Sequence, residues 1–107
     1  MIRIAATILA LGLATGAHAY DAAKGAEKAK QVCAACHGEK GNEAKVPGAA
    51  IIAGQHRDYL YHSLRDYKTG KRKNAIMNGQ AEPLTDDDMR NLAAFFAAQD
   101  GPLKVVR

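Results

Sequence analysis

Two thiols and an imidazole stand together in one pentapeptide of this 107-residue chain, Cys33-Ala34-Ala35-Cys36-His37. On a helical turn, thiols three positions apart lie on one face, where they can add to the two vinyl groups of a haem. The imidazole of the following residue can then bind the iron. The pattern therefore predicts covalent haem attachment through the only two cysteines of the chain, with the histidine as an iron ligand.

Other uses of the cysteine pair fit the sequence less well. A thioredoxin-like dithiol requires a strand-helix-strand context, and no alternating strand pattern flanks the motif. A zinc site needs two more ligands at metal spacing, for which only His56 and His62 are available. A structural disulfide would close a very short loop and add little stability.

The sixth coordination position of the iron is predicted to be filled by Met77. An isolated methionine in a polar loop is a poor core residue, but its thioether is a good iron ligand. Met89 is the competitor, and helical periodicity already accounts for it as a core residue. The alternatives are a nitrogen ligand from His56 or His62 and an open sixth position.

Three main helices are predicted to position these groups, so the predicted fold class is all-α. The first helix is capped by Asp21 and runs to about Val32. The second covers about 57–68 and ends at Gly70. The last is capped by Thr85, and the aspartates of its first turn suit the helix dipole.

Two segments rich in glycine or polar residues, 38–55 and 71–83, are predicted as loops. The second loop holds Met77 and has room for one short helical turn before it. The predicted buried stripes lie on the second and last helices, and both follow helical spacing. They comprise Leu60, Leu64 and Tyr67, and then Met89, Leu92, Ala93 and Phe96, with Phe95 at one margin.

Residues 1–19 have the pattern of a secretory signal peptide. A basic start precedes an apolar stretch over 4–14, and small residues at Ala17 and Ala19 suit a cleavage site. The apolar stretch is too short to span a bilayer. We therefore expect cleavage after Ala19, no membrane span, and a single domain over 20–107 in the periplasm.

The formal net charge is +4 at pH 7, and much of the excess lies in one basic cluster. The cluster consists of Lys68, Lys71, Arg72 and Lys73. Export removes nucleic acid as a target, so no nucleic-acid partner is predicted. The cluster could instead steer an acidic redox partner toward the protein, or it could be a solvated loop without a special role.

The chain resembles the small class I c-type cytochromes of the bacterial periplasm, and most of all one domain of the dihaem cytochromes. The resemblance rests on CAACHG at 33–38, IAGQHRDYL at 52–60 and IMNGQAEPLTDDDMRNLAAFF at 76–96. It implies three main helices wrapped around one covalently bound haem c, with His37 and Met77 as axial ligands. It also implies that Gly25 packs against Phe95 where the first and last helices cross.

One departure from the family pattern concerns the hydrogen bond that orients the proximal imidazole. In the family a proline carbonyl accepts this bond, but that position is Ala50 here and the proline stands at Pro47. Either carbonyl is therefore a candidate to orient His37. The resemblance also makes Arg72 and Tyr67 candidates for contact with the haem propionates.

The sequence as a whole predicts a soluble periplasmic electron carrier with one haem c, which is not an enzyme. Its expected partners are redox proteins, such as a membrane cytochrome complex, a terminal oxidase or a dehydrogenase. Two alternatives keep the same haem attachment. One is a haem c subunit tightly bound to a dehydrogenase or oxidase, and the other is a haem sensor or enzyme with an open sixth position.

Overall fold

The computed structural model describes residues 20–104, together with Ala5 and Thr7. Over this part the chain is helical and without strands, which confirms the all-α prediction. The signal peptide predicted for 1–19 lies outside the described residues, apart from those two positions. The helices are α1 (Ala22–Val32), α2 (Ala34–His37), α3 (Arg57–Thr69), α4 (Ala75–Ala81) and α5 (Asp86–Ala97).

The ends of the three long helices follow from their capping residues. Asp21 caps α1 by accepting a hydrogen bond from the backbone N–H of Lys24 at 3.1 Å. Gly70 ends α3 with a left-handed φ of 80°, a conformation that glycine adopts without strain. At α5, Thr85 and Asp88 each accept from the other's backbone N–H at 3.0 Å, which completes a capping box. All three predicted boundaries are confirmed.

The prediction of a loop over 71–83 is wrong for its middle part. Met77 lies inside helix α4 rather than after a short helical turn. The helix begins because the side chain of Asn74 accepts hydrogen bonds from the backbone N–H groups of Ile76 and Met77, both at 3.0 Å. It carries no apolar periodicity that could reveal it, and it contains Gly79, which disfavours a helix.

Helices α1 and α5 cross in close contact at Gly25. A β-carbon at this position would meet the Asn91 backbone and lie 2.9 Å from Cβ of Phe95, so the crossing requires glycine. The N-terminal end of α1 is tied to the same helix, because Asn91 Oδ1 accepts from the backbone N–H of Asp21 at 2.9 Å. The predicted contact of Gly25 with Phe95 is confirmed.

The apolar core lies where α1 and α3 pack against α5, and α4 adds to it by packing on α3. The predicted stripe of α5 is buried, and Leu92 is the largest side chain that is completely enclosed. On α3, Leu60 is buried, while Leu64 and Tyr67 pack against the core from its edge. Among residues 20–104, the buried hydrophobic side chains are those of Ala29, Ala53, Leu60, Tyr61, Ala81, Leu84, Met89, Leu92, Ala93 and Phe96.

Tyr61 is a core residue that the sequence analysis missed. Its hydroxyl group donates a 2.5 Å hydrogen bond to Asp86 Oδ1, which joins α3 to the start of α5. The other oxygen of that carboxylate accepts from Arg90 Nε at 2.7 Å. The hydrogen bond to the carboxylate, together with burial, raises the pKa of Tyr61 above its ordinary value of 10.

This shift predicts an alkaline loss of stability that depends on the Tyr61 hydroxyl. Because the folded state holds the phenolic proton more tightly than the unfolded chain, the contribution is full below pH 10 and declines above it. We expect Tyr61→Phe to cost about 1 kcal/mol at pH 7, and this difference from wild type should shrink above pH 10. Urea unfolding of both proteins between pH 7 and 11 measures it, and a constant difference would contradict the prediction.

Candidate haem site

The pentapeptide forms a single helical turn directly after α1. Cys33 is both the C-cap of α1 and the N-cap of α2. Its carbonyl accepts hydrogen bonds from the backbone N–H groups of Cys36 at 3.2 Å and His37 at 3.0 Å. The structure therefore places both thiols and the imidazole on one turn. That turn continues a helix which is itself packed against α5.

Cys33 and Cys36 form no disulfide with each other, and both are half-buried in the structure. Cys33 packs against the apolar core. Burial raises the pKa of Cys33 to about 11, and the nearby charge of Lys28 opposes this only in part. Within residues 20–104, no three His, Cys, Asp or Glu side chains come together as a metal cluster would require, so the structure adds no support to the zinc alternative.

The imidazole of His37 is oriented by the backbone of the following loop. Its Nδ1 lies 2.7 Å from the carbonyl oxygen of Ala50, where it donates a hydrogen bond. This bond leaves Nε2 as the nitrogen that can bind a metal, and it strengthens the imidazole as a ligand. Of the two candidate carbonyls, the structure selects Ala50 over Pro47.

The loop that carries Ala50 is held at both ends. Near its start, the backbone N–H of Glu43 donates to the carbonyl of His37 at 3.1 Å. The loop then folds back on itself, because the carbonyl of Gly41 accepts from the backbone N–H of Ile52 at 2.8 Å. Gly41 has a φ of 74°, and a β-carbon there would lie 2.6 Å from the ring of Phe96. The loop is thus fixed to α2 and to α5.

Met77 and His37 lie on helices that pack in different parts of the fold. Helix α4 packs on α3, whereas α2 packs on α1. Met77 is half-buried, while the competing Met89 is 3% exposed and belongs to the core. His56 and His62 are both exposed on or beside α3.

Three side chains of α3 contact the guanidinium of Arg72. That guanidinium lies 4.8 Å from the ring centroid of Tyr67, and its Nη1 lies 3.4 Å from Ser63 Oγ and 3.5 Å from the hydroxyl of Tyr59. The hydrogen bond from Arg72 to the Tyr59 hydroxyl is the main cause that lowers the pKa of Tyr59. The structure therefore places Arg72 against Tyr67, and the contact of either residue with the haem propionates stays a prediction. It adds Tyr59, which the sequence analysis overlooked because it lies outside the apolar stripe.

The residues of this region fit a covalently attached haem. Three large hydrophobic side chains are exposed beside candidate site residues: Val32 (37%) precedes Cys33, Ile51 (39%) follows Ala50, and Ile76 (58%) precedes Met77. Single exposed hydrophobic side chains are common on protein surfaces and are compatible with a bound apolar group, so the fit rests on the donor set. Two thiols beside an imidazole with a free Nε2 are the donors that a covalently attached haem requires.

The helical fold and this donor set define a class I domain that carries haem c. The chain belongs to the cytochrome c family, whose model matches residues 22–99. Family membership supports one covalently bound haem c, with its iron, in this domain. Among residues 20–104, no helix combines the length and apolarity needed to cross a membrane.

Three known proteins illustrate the likeness. Cytochrome c4 of Pseudomonas aeruginosa is 45% identical over 93 residues, which cover 86% of this chain and 45% of that protein. Cytochrome c-553 of Helicobacter pylori is 36% identical over 88 residues, which cover 82% of this chain and 91% of that protein. The crystal structure of reduced recombinant cytochrome c4 from Pseudomonas stutzeri matches with a TM-score of 0.70 at 39% identity, over 78% of this chain and 47% of that one. The chain thus spans about half the length of the cytochromes c4 that it matches.

Proposed function

We propose that this protein is a periplasmic electron carrier in which Cys33 and Cys36 hold one haem c and His37 and Met77 bind its iron. The hydrogen bond from His37 Nδ1 to the Ala50 carbonyl is the observation that carries the proposal. It presents a single nitrogen on the same helical turn as both thiols, within a domain of the cytochrome c family. When bound, haem c supplies one-electron chemistry through its iron.

The chain's own residues then set the properties of that chemistry. Thioether links through both cysteines prevent loss of the cofactor. The Ala50 carbonyl keeps the imidazole of His37 in one tautomer and one orientation. A soft thioether from Met77 favours the reduced iron and raises the reduction potential. With two protein ligands in both oxidation states, little rearranges when an electron moves.

We also propose export and a soluble periplasmic location. Residues 1–19 have the basic start, the apolar stretch and the small-residue cleavage site of a signal peptide. Covalent haem attachment in bacteria takes place outside the cytoplasm, which agrees with export of the chain.

The basic cluster is the surface we propose for an acidic redox partner. Its four members are exposed. Arg72 is engaged by the Tyr59 hydroxyl, and Lys68 Nζ donates to the carbonyl of Glu82. Lys71 and Lys73 make no hydrogen bond or ion pair within residues 20–104 and are available to a partner. Complementary charge of this kind mainly raises the rate of encounter and makes it sensitive to salt.

Carbon monoxide binding tests the proposed axial pair. We expect the reduced wild-type protein not to bind carbon monoxide at neutral pH, because the thioether of Met77 fills the sixth position. Met77→Ala should bind it readily, while Met89→Leu, a volume-conserving change in the core, should behave as wild type. Visible spectra of the three reduced proteins with and without the gas measure this. Ready binding by the wild type would overturn the ligation and favour the open-site alternative.

A further inference from the structure

Asn78 follows the proposed ligand Met77, and every polar atom of its side chain is bonded to backbone. Its Nδ2 donates to the carbonyls of Tyr67 and Arg72, both at 2.8 Å. Its Oδ1 accepts from the backbone N–H of Asn74 at 2.8 Å. Because a carbonyl only accepts and a backbone N–H only donates, these partners define the orientation of the amide.

The three bonds join three parts of the chain. Tyr67 lies in the last turn of α3, Arg72 in the segment after it, and Asn74 at the cap of α4. The side chain of Asn74 in turn accepts from the backbone N–H of Met77. The two asparagines thus form an amide clamp, in which Asn74 starts the helix and Asn78 ties that start to α3.

Helix α4 needs such a clamp because it is short and poorly buried. It has seven residues, and Ala81 is the buried one among them. A helix of this length is unstable without tertiary contacts, and Gly79 lowers its stability further. The bonds of Asn78 therefore supply much of what fixes the backbone at Met77.

We propose that Asn78 is a positioning residue for the bond between Met77 and the iron, an inference that rests on the proposed His37 and Met77 ligation. Holding α4 against α3 keeps the thioether available at high effective concentration. When the clamp is lost, an external ligand competes more successfully for the sixth position. The effect should be largest in the oxidised protein, because a soft thioether binds the harder Fe(III) more weakly than Fe(II).

The same substitution is expected to have a large effect at Asn78 and little effect at Asn74. In Asn78→Asp the side chain loses both N–H donors and turns a carboxylate toward two carbonyl oxygens. In Asn74→Asp the side chain keeps its role, since that residue uses only its oxygen as the cap and Asp caps as well as Asn. Both variants add one negative charge within the same clamp, so Asn74→Asp controls for charge. Asn78→Ala removes the amide without adding charge.

Imidazole binding to the oxidised holoprotein measures the proposed role. Two hydrogen bonds of ordinary net strength lead us to expect about a tenfold increase in imidazole affinity in Asn78→Asp and Asn78→Ala. Asn74→Asp should stay within about twofold of wild type. The charge-transfer band between methionine sulfur and ferric iron should weaken in the two Asn78 variants and stay unchanged in Asn74→Asp.

The outcomes separate this inference from the ligation on which it rests. If the wild type shows the sulfur band and the Asn78 variants bind imidazole no better than Asn74→Asp, the positioning role is wrong and the ligation stands. If the wild type lacks the band, and Met77→Ala leaves its imidazole affinity unchanged, both are wrong. If neither Asn78 variant gives folded holoprotein by circular dichroism, Asn78 serves the fold as a whole and the specific role is rejected.

Discussion

Replacing Met77 with histidine is expected to lower the reduction potential of the holoprotein by on the order of 0.1 V or more, within the range that axial ligands control. The thioether favours Fe(II), whereas an imidazole is a stronger donor that stabilises Fe(III). The haem should remain attached, because Cys33 and Cys36 are unchanged. This is the largest functional effect that we expect from a single substitution.

A potentiometric titration followed by visible absorbance measures the potential, and acidified acetone tests whether the pigment stays with the protein. Met89→Leu is the matched control, since it removes the other methionine of the domain and should leave the potential close to wild type. An unchanged potential in Met77→His, with the control also unchanged, would remove Met77 from the ligand set.

The largest effect on stability is expected from Gly25→Ala. The new β-carbon would lie against the Asn91 backbone and 2.9 Å from Cβ of Phe95. These are atoms of a packed helix and cannot rotate away, so α1 and α5 must separate. Overpacking of this kind costs about 1–3 kcal/mol or more, and we expect the upper end because the clash is with backbone.

Gly79→Ala is the control for that substitution and should have the opposite sign. Gly79 is also helical, but a β-carbon there meets no atom within 4 Å. Alanine at such a position stabilises a helix by roughly 0.5–1 kcal/mol. Guanidinium unfolding of both holoproteins gives the two free energies. Equal effects at the two positions would mean that the α1–α5 crossing is less tight than the structure shows.

Much of the fold could be predicted because its signals are local. Asp21, Gly70 and Thr85 mark helix ends by the chemistry of their own side chains or backbone. The buried stripe of α5 follows from helical spacing alone. The turn that holds the two thiols and His37 is equally local, since five consecutive residues contain the whole pattern.

Other features depend on contacts between distant segments and leave no local signal. Helix α4 is capped by Asn74 and tied to α3 by Asn78, which donates to the carbonyls of Tyr67 and Arg72, and no apolar periodicity predicts this helix. Tyr61 is buried beside Asp86, although it is a neighbour of the predicted stripe rather than a member. The carbonyl of Ala50 orients His37 because a glycine-rich loop folds back toward the imidazole. Residue spacing alone cannot predict which carbonyl of that loop reaches the ring.

In the proposed ligation, His37 and Met77 are held by different halves of the domain. The attachment turn extends α1, and the loop with Ala50 is fixed to α5, so the imidazole side shares the tightest helix crossing. Met77 instead depends on α4 and its link to α3. Partial unfolding by heat, alkali or a bound partner should therefore release the sulfur first and leave the imidazole in place. Any exchange of an iron ligand would then replace the methionine sulfur, while the haem stays attached through its thioether links.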